Sequence, residues 1–344
     1  MTSPPVGADS GDTLAASAAA SASGKPPPAG RRRHKLTFDY VSFMVVFLGL
    51  PLAIFLVFVI WPFLQAGFYS MTDWSGFTAE FTFVGLDNFA WLLSDPRWVN
   101  AVGNSVAIAL VVPTITIVIA LIFASLITVG GSQRGQVRGL KGSSFYRVVS
   151  FFPYVIPAIA VAIMWRLIFD PSGGLANGLL TTLGLDQFDS FAWLGNVGTA
   201  MPITMFVIIW GMVGFYMLLF VAAIKGVPAE IFEAARIDGA GRLRIAWSIT
   251  IPLIRDNIQT AWIYLGIMAL DAFVFVQGLN PQGGPESSTL VMAQQLFRTA
   301  FIDGQFGRSS AMGVAMAVVT LVFAALVFTV NRVTGGRDEK GGSV

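Results

Sequence analysis

Six long apolar runs decide what this chain can fold into. They cover roughly residues 41–65, 102–129, 148–169, 200–224, 257–278 and 310–331. An apolar helix rises 1.5 Å per residue, so about 20 residues cross the ~30 Å of hydrocarbon in a bilayer. A helix also pairs its own backbone polar groups, which hydrocarbon cannot do for it. The expected fold is therefore all-α: a polytopic membrane protein with six transmembrane helices. Composition agrees, with 55% hydrophobic residues and 12% charged ones, about half the charge of a soluble domain. Pro51, Pro62, Pro113, Pro153, Pro157 and Pro202 lie in or near the runs, where neighbouring groups can satisfy the freed carbonyls.

Basic residues give the orientation. Seventeen Lys and Arg fall in the two tails and in the loops after the second and fourth runs; only Arg97, Arg298 and Arg308 fall in the opposite loops, with Arg166 inside a run. By the positive-inside rule, both termini and the loop after the fourth run are cytoplasmic. The pI near 9.0 then reflects topology, and no nucleic-acid partner is expected. The expected organisation is a low-complexity basic tail over 1–36, a six-span domain over 37–332 and a tail over 333–344. The Arg31–Lys35 cluster reads as an anchor for the first span. A cleavable or twin-arginine signal is the alternative, but the first run is too long for one. Cys is absent and His34 stands alone, so no metal site, disulfide or thiol chemistry is expected.

The loop over 225–256 holds a polar island, Glu233-Ala234-Ala235-Arg236-Ile237-Asp238-Gly239, running on to Ile249-Thr250-Ile251-Pro252. Pro228 suits a helix start, and Glu230 and Glu233 then lie near the positive end of the helix dipole. Gly239 and Gly241 suit a stop with a turn at positive φ. A second short helix from Arg242 is expected to break at Pro252. Glu-Ala-Ala, three residues, Gly, nine residues and Ile-x-Leu-Pro is the signature of permease subunits of binding-protein-dependent ABC importers. This chain resembles it at Glu233, Ala234, Ala235, Gly239, Ile249 and Pro252, departing at Ile251. The fuller run from Pro228 to Ala240 resembles the carbohydrate-uptake branch. Val84–Phe89, Trp165–Phe169 and Gly283–Thr289 extend the likeness over roughly residues 40–331.

The resemblance implies a multi-pass subunit of the cytoplasmic membrane. It implies a second homologous permease, an ATPase dimer and an extracytoplasmic solute-binding protein as partners, and a sugar as substrate. In the family the Glu-Ala-Ala loop is a coupling helix seated on the ATPase. Glu230, Glu233, Ala234, Ala235, Asp238 and Gly239 are the residues that would couple. No Gly-x-x-x-x-Gly-Lys-Ser/Thr loop occurs here. No cofactor is therefore expected on this chain, and ATP and Mg belong on the partner ATPase. Neither catalysis nor an enzyme activity is expected.

The fifth run carries Asp271, which costs about 2.5–3.5 kcal/mol at membrane depth if ionised. On a continuous helix Asn257, Thr260, Tyr264, Asp271 and Phe275 fall within about 60° of one another. That mixture of hydrogen-bonding and aromatic groups suits a sugar pathway; packing between helices is the competing reading. Trp210 and Tyr216 on the fourth run are further pathway candidates. Trp74, Trp91, Trp98 and Trp193 in the outer loops read as an interfacial aromatic belt. Two other classes stay open: a secondary carrier, which would show repeats and an ion site, and an intramembrane enzyme, for which Asp271 lacks a second acid.

Overall fold

The structure, a computed structural model, describes residues 42–128, 131–133, 136–138 and 142–335. The expected N-terminal tail, the Arg31–Lys35 anchor, Lys141 and the chain beyond Gly335 lie outside the described residues. Among the described residues the helices are joined by loops, with one short antiparallel pair, β1 Gly131–Gln133 with β2 Gln136–Arg138, Ser132 facing Val137, and an isolated bridge between Thr72 and Phe83.

Two compact units divide at Ile60. In the first, residues 42–60 are helical, with π turns at Val45–Gly49 and Leu56–Ile60 on either side of Pro51. Every described residue there is exposed. A stretch apolar on all sides needs lipid or another subunit around it.

The second unit opens with the end of α1 (Ser42–Tyr69) and continues through α2 (Asp87–Ser94) and α3 (Pro96–Thr128). Next come α4 (Ser143–Val155), α5 (Ala158–Ile168), α6 (Leu175–Thr182) and α7 (Val197–Lys225). The loop helices α8 (Ala229–Ile237) and α9 (Leu243–Leu253) lead into α10 (Arg255–Leu270) and α11 (Phe273–Leu279). The chain closes with α12 (Met292–Phe301) and α13 (Phe306–Gly335).

The centre of this unit is α7, packed chiefly on α3 and α4, while α3 also carries α10. Ile108, Ile208, Met217, Phe220 and Leu265 are fully buried between them. Two glycines let α7 run between neighbours. Gly211 faces the Phe275 ring, and a Cβ on Gly214 would lie 1.7 Å from the Ser150 carbonyl oxygen of α4. Small residues allow such backbone contact between membrane helices, where dispersion replaces the hydrophobic drive.

Two of the six expected spans are not single helices. α4 and α5 meet at 96°, and α10 and α11 at 49°. The first break has a local cause: Ile156 precedes Pro157 and is extended, with ψ 134°, because proline excludes the α conformation from the residue before it. The second falls at Asp271 (φ −104°, ψ 50°) and Ala272 (φ −77°, ψ 23°), which no proline marks. The described residues thus hold four helices able to cross a bilayer, or six spans if each bent pair counts as one.

The four tryptophans expected at the interface are each engaged within the chain. Trp98 is buried. Trp193 donates its Nε1–H to Asn177 Oδ1 at 2.6 Å and stacks on Phe188. The Arg308 guanidinium sits 4.5 Å over the Trp91 ring, and Trp74 stacks on Tyr69. The loop after α1 closes on itself through Asn88, whose Nδ2 donates to the Ser70 and Thr72 carbonyls. In the same loop Asp73 accepts from the Thr82 hydroxyl and from the Thr82 N–H at 2.6 Å. These bonds hold its carboxyl below the usual range.

Candidate functional site

The polar island forms the expected helix–turn–helix with two local differences. Pro228 caps α8 from outside, with φ −53° and ψ 133°, and the helix begins at Ala229. Pro252 does not break α9, which continues to Leu253. A π turn over Ala246–Thr250 precedes that proline, and Thr250 donates its hydroxyl to the Ile245 carbonyl at 3.2 Å. The side chain thus serves a carbonyl where the helical ladder is altered. The chain turns instead at Ile254 (φ −103°, ψ 17°).

Gly239 ends α8 as the sequence requires. Its φ is +78°. The Gly239 N–H donates to Arg236 O at 3.0 Å, and the Ala240 N–H to Ala235 O at 2.9 Å. That is the paired closing of a Schellman motif. Ala240 packs on the core that contains Ala235, the apolar contact that accompanies the motif. No atom of the described chain lies within 4 Å of where a Gly239 Cβ would be, so the glycine answers to backbone conformation.

The six coupling candidates divide between two faces. Phe232 and Ala235 are buried and pin α8 to the molecule. Ala235, one of the six, therefore faces the chain's own core. Glu230, Glu233, Ala234, Asp238 and Gly239 are exposed. With them stands Ile237, 86% exposed, an apolar side chain four residues after Glu233 and next to Asp238. The sequence reading missed it, although an isoleucine off the Phe232–Ala235 face was a visible signal. On α9, Leu243 and Trp247 are also exposed. They line an apolar groove of about 350 Å³ against Ile117, Leu121 and Ile122 of α3.

The stripe on the fifth run is brought together in part. Asn257, Thr260, Tyr264 and Asp271 share the exposed side of α10 and its end, Tyr264 being 69% exposed. Thr260 donates its hydroxyl to Asp256 O at 2.8 Å. Phe275 leaves the stripe, because the break at Asp271 voids the 100° extrapolation. It is buried against Gly211. The fourth-run candidates are also elsewhere: Trp210 lies edge-on to Trp165 with centroids 5.3 Å apart, and Tyr216 is buried. Asp271 thus sits where the helix is interrupted. Irregular backbone at membrane depth is tolerated only inside protein or beside a water-filled cavity. The flanking Leu270 and Ala272 are buried while Asp271 is exposed, so the open side of this break needs water or a further subunit. Among the described residues no group of three or more His, Cys, Asp or Glu could hold a metal ion.

Broken apolar helices around a buried central helix, with a helix–turn–helix on the loop that follows it, define a polytopic membrane protein. Residues 126–336 match the family described as the binding-protein-dependent transport system inner membrane component, and the chain belongs to that family. It is 59% identical to the diacetylchitobiose uptake system permease protein NgcF of Streptomyces coelicolor, over 89% of this chain and 87% of that one. It is 29% identical to the multiple sugar-binding transport system permease protein MsmF of Streptococcus mutans, over 83% and 94%. In fold it is similar to a chain of a bacterial ABC transporter involved in the import of the acidic polysaccharide alginate. The TM-score is 0.71 at 22% identity, covering 86% of this chain and 97% of the other. The chain is thus a component of the inner membrane and a transport subunit rather than an enzyme.

Proposed function

We propose that this chain is the permease subunit of an ATP-driven importer that carries a sugar across the cytoplasmic membrane, with a disaccharide of 2-acetamido sugars as the first substrate to test. The observation that carries the mechanism is the outward-held α8, closed by Gly239 at positive φ and presenting Ile237 among Glu230, Glu233 and Asp238. The similarity to a diacetylchitobiose permease supports the substrate class. In this reading both bent pairs are spans, giving six, with the tails of 1–36 and 333–344 and the 225–256 loop on the cytoplasmic side. A second permease covers the exposed apolar faces. A binding protein delivers sugar to the opposite side. Two ATPase subunits, holding ATP and Mg, seat α8.

The chain's part in transport follows from differential affinity. ATP and the loaded binding protein drive the switch only so far as each favours the outward-facing arrangement. α8, anchored by Phe232 and Ala235, transmits the ATPase's movement as a rigid piece. The break at Asp271 supplies a carboxyl and Tyr264 an aromatic face to passing hydroxyl groups.

The test is uptake of labelled N,N′-diacetylchitobiose into vesicles containing this chain, its partner permease and the ATPase. Uptake should require ATP on the α8 side and loaded binding protein on the other, and the purified chain alone should bind no ATP. Uptake driven by an ion gradient without the ATPase would instead establish the secondary carrier. In the same vesicles, Asp271→Ala and Tyr264→Ala should each lower uptake at least about tenfold, a loss of ~1.4 kcal/mol in the transport step, with the ATPase still co-purifying. Wild-type uptake in both variants would reduce the stripe to a packing surface.

A further inference from the structure

The polar groups around α12 and the turn before it serve neither the coupling helix nor the Asp271 break. Two adjoining clefts, of about 280 and 370 Å³, share Gln282 and Gly284 as a wall. The first is lined by Arg97, Glu286, Leu290, Gln295 and Arg298; Asn280 lines the second. Gln295 is only 4% exposed and its Oε1 has no hydrogen-bond partner; Arg298 Nε and the Nδ2 of Asn280, 7% exposed, have none either. An unsatisfied buried polar group costs about 1–3 kcal/mol, so three around one wall mark a place that a ligand or water completes.

The wall is held in costly backbone conformations. Glu286 and Ser287 have φ of 51° and 62°. Non-glycine residues persist there only where the surroundings fix them, and such residues cluster at ligand sites. The clamp is visible: Asn100 Nδ2 donates to Ser287 O at 2.7 Å, and Asn104 Nδ2 to Leu290 O at 2.9 Å.

Gln295 and Arg298 stand three residues apart on one face of α12. Together they present one acceptor and one donor, with Leu290 beside them. We infer that this cleft receives the acetamido group of a 2-acetamido sugar, a site that rests on the sugar-import reading above. The acetamido N–H donates to the Gln295 carboxamide oxygen and its carbonyl accepts from Arg298, while its methyl packs on Leu290. Rotation about the terminal torsion of Gln295, a soft one, turns the carboxamide to the ligand. Glu286 accepts from a ring hydroxyl and Arg97 donates to one. The adjoining cleft, lined by Asn280, leaves room for a second ring.

The test is saturation-transfer NMR on the complete importer in nanodiscs without binding protein, using N,N′-diacetylchitobiose and, as the acetyl-free control, cellobiose. Transfer to the acetyl methyl protons is expected with wild type and should be largely lost in both Gln295→Met and Arg298→Lys, with cellobiose silent. Arg298→Lys keeps charge and stem, so it decides the matter if Gln295→Met does not assemble. No transfer with wild type, unchanged transfer in the variants, or equal transfer from cellobiose would each overturn the site. Vesicle uptake separates the two readings: uptake without transfer removes the cleft alone, whereas absent uptake removes the substrate.

Discussion

Gly214→Ala is expected to lower the thermal stability of the chain in detergent and to reduce its yield in the membrane, although it adds one methyl group to a helix. α7 is the most buried of the long helices, and its Gly214 touches backbone. The added Cβ would stand 1.7 Å from Ser150 O, 2.4 Å from Ser150 C and 2.9 Å from Phe151 Cα. None of these atoms belongs to a side chain that can rotate away, so α4 and α7 must separate. Overpacking of this kind costs about 1–3 kcal/mol, occasionally more. Separation would also disturb the stacked Tyr154 and Phe215 rings, whose centroids lie 4.6 Å apart across the same contact. The control is Gly103→Ala on α3. Gly103 is exposed, with no atom within 4 Å of a Cβ position, and alanine is the better helix former by about 1 kcal/mol. Thermal unfolding followed by size-exclusion chromatography should show a lower midpoint for the first variant and none for the second. Equal midpoints would mean that the close approach of α4 and α7 carries no weight.

The same contact shows what the sequence could and could not tell. The apolar runs were legible because hydrocarbon thickness sets their length, and the four unbroken helices end within a few residues of those limits. Gly239 was legible because a helix stop at positive φ restricts the residue type. The break at Ile156–Pro157 could have been read, since the residue before proline leaves the α region. The break at Asp271 could not, because neither proline nor glycine stands at 271 or 272 to mark it. Once it is there, angular bookkeeping along one ideal helix fails beyond it, and Phe275 turns inward. Ala235 shows the matching limit on α8: the motif names the residue, but only packing shows which side of the helix it faces. The clefts beside α12 were hidden for a third reason. Asn280, Gln295 and Arg298 look like ordinary loop polarity until burial leaves one side-chain atom of each without a partner.

Gly239→Val is expected to abolish uptake while leaving the permease in the membrane. The position offers room, since no atom lies within 4 Å of a Cβ there, so the penalty comes from the backbone. At φ +78° an L-residue costs about 1–2 kcal/mol, and a β-branched side chain is a worse fit still. The chain can relieve that strain by giving up the paired bonds from Gly239 to Arg236 and from Ala240 to Ala235. Doing so frees the end of α8 and moves Ile237 and Asp238 out of place. Asn tolerates the left-handed region, so Gly239→Asn should retain most uptake and Gly239→Ala should fall between. Glu233→Lys tests the face rather than the turn. It reverses the charge of an exposed acid at the middle of α8, on the same helix as Ile237. Ile237→Asp removes the apolar contact at the centre of that face. All of these changes lie in the 225–256 loop, so insertion should be normal, and the binding protein's affinity for sugar should not move. The decisive measurement is recovery of the ATPase by pull-down with each variant, read beside uptake in the same membranes. Lost recovery together with lost uptake in Gly239→Val, Glu233→Lys and Ile237→Asp, with rescue by Asn at 239, would place coupling on this helix. Full recovery and full uptake in all three would remove α8 from the mechanism.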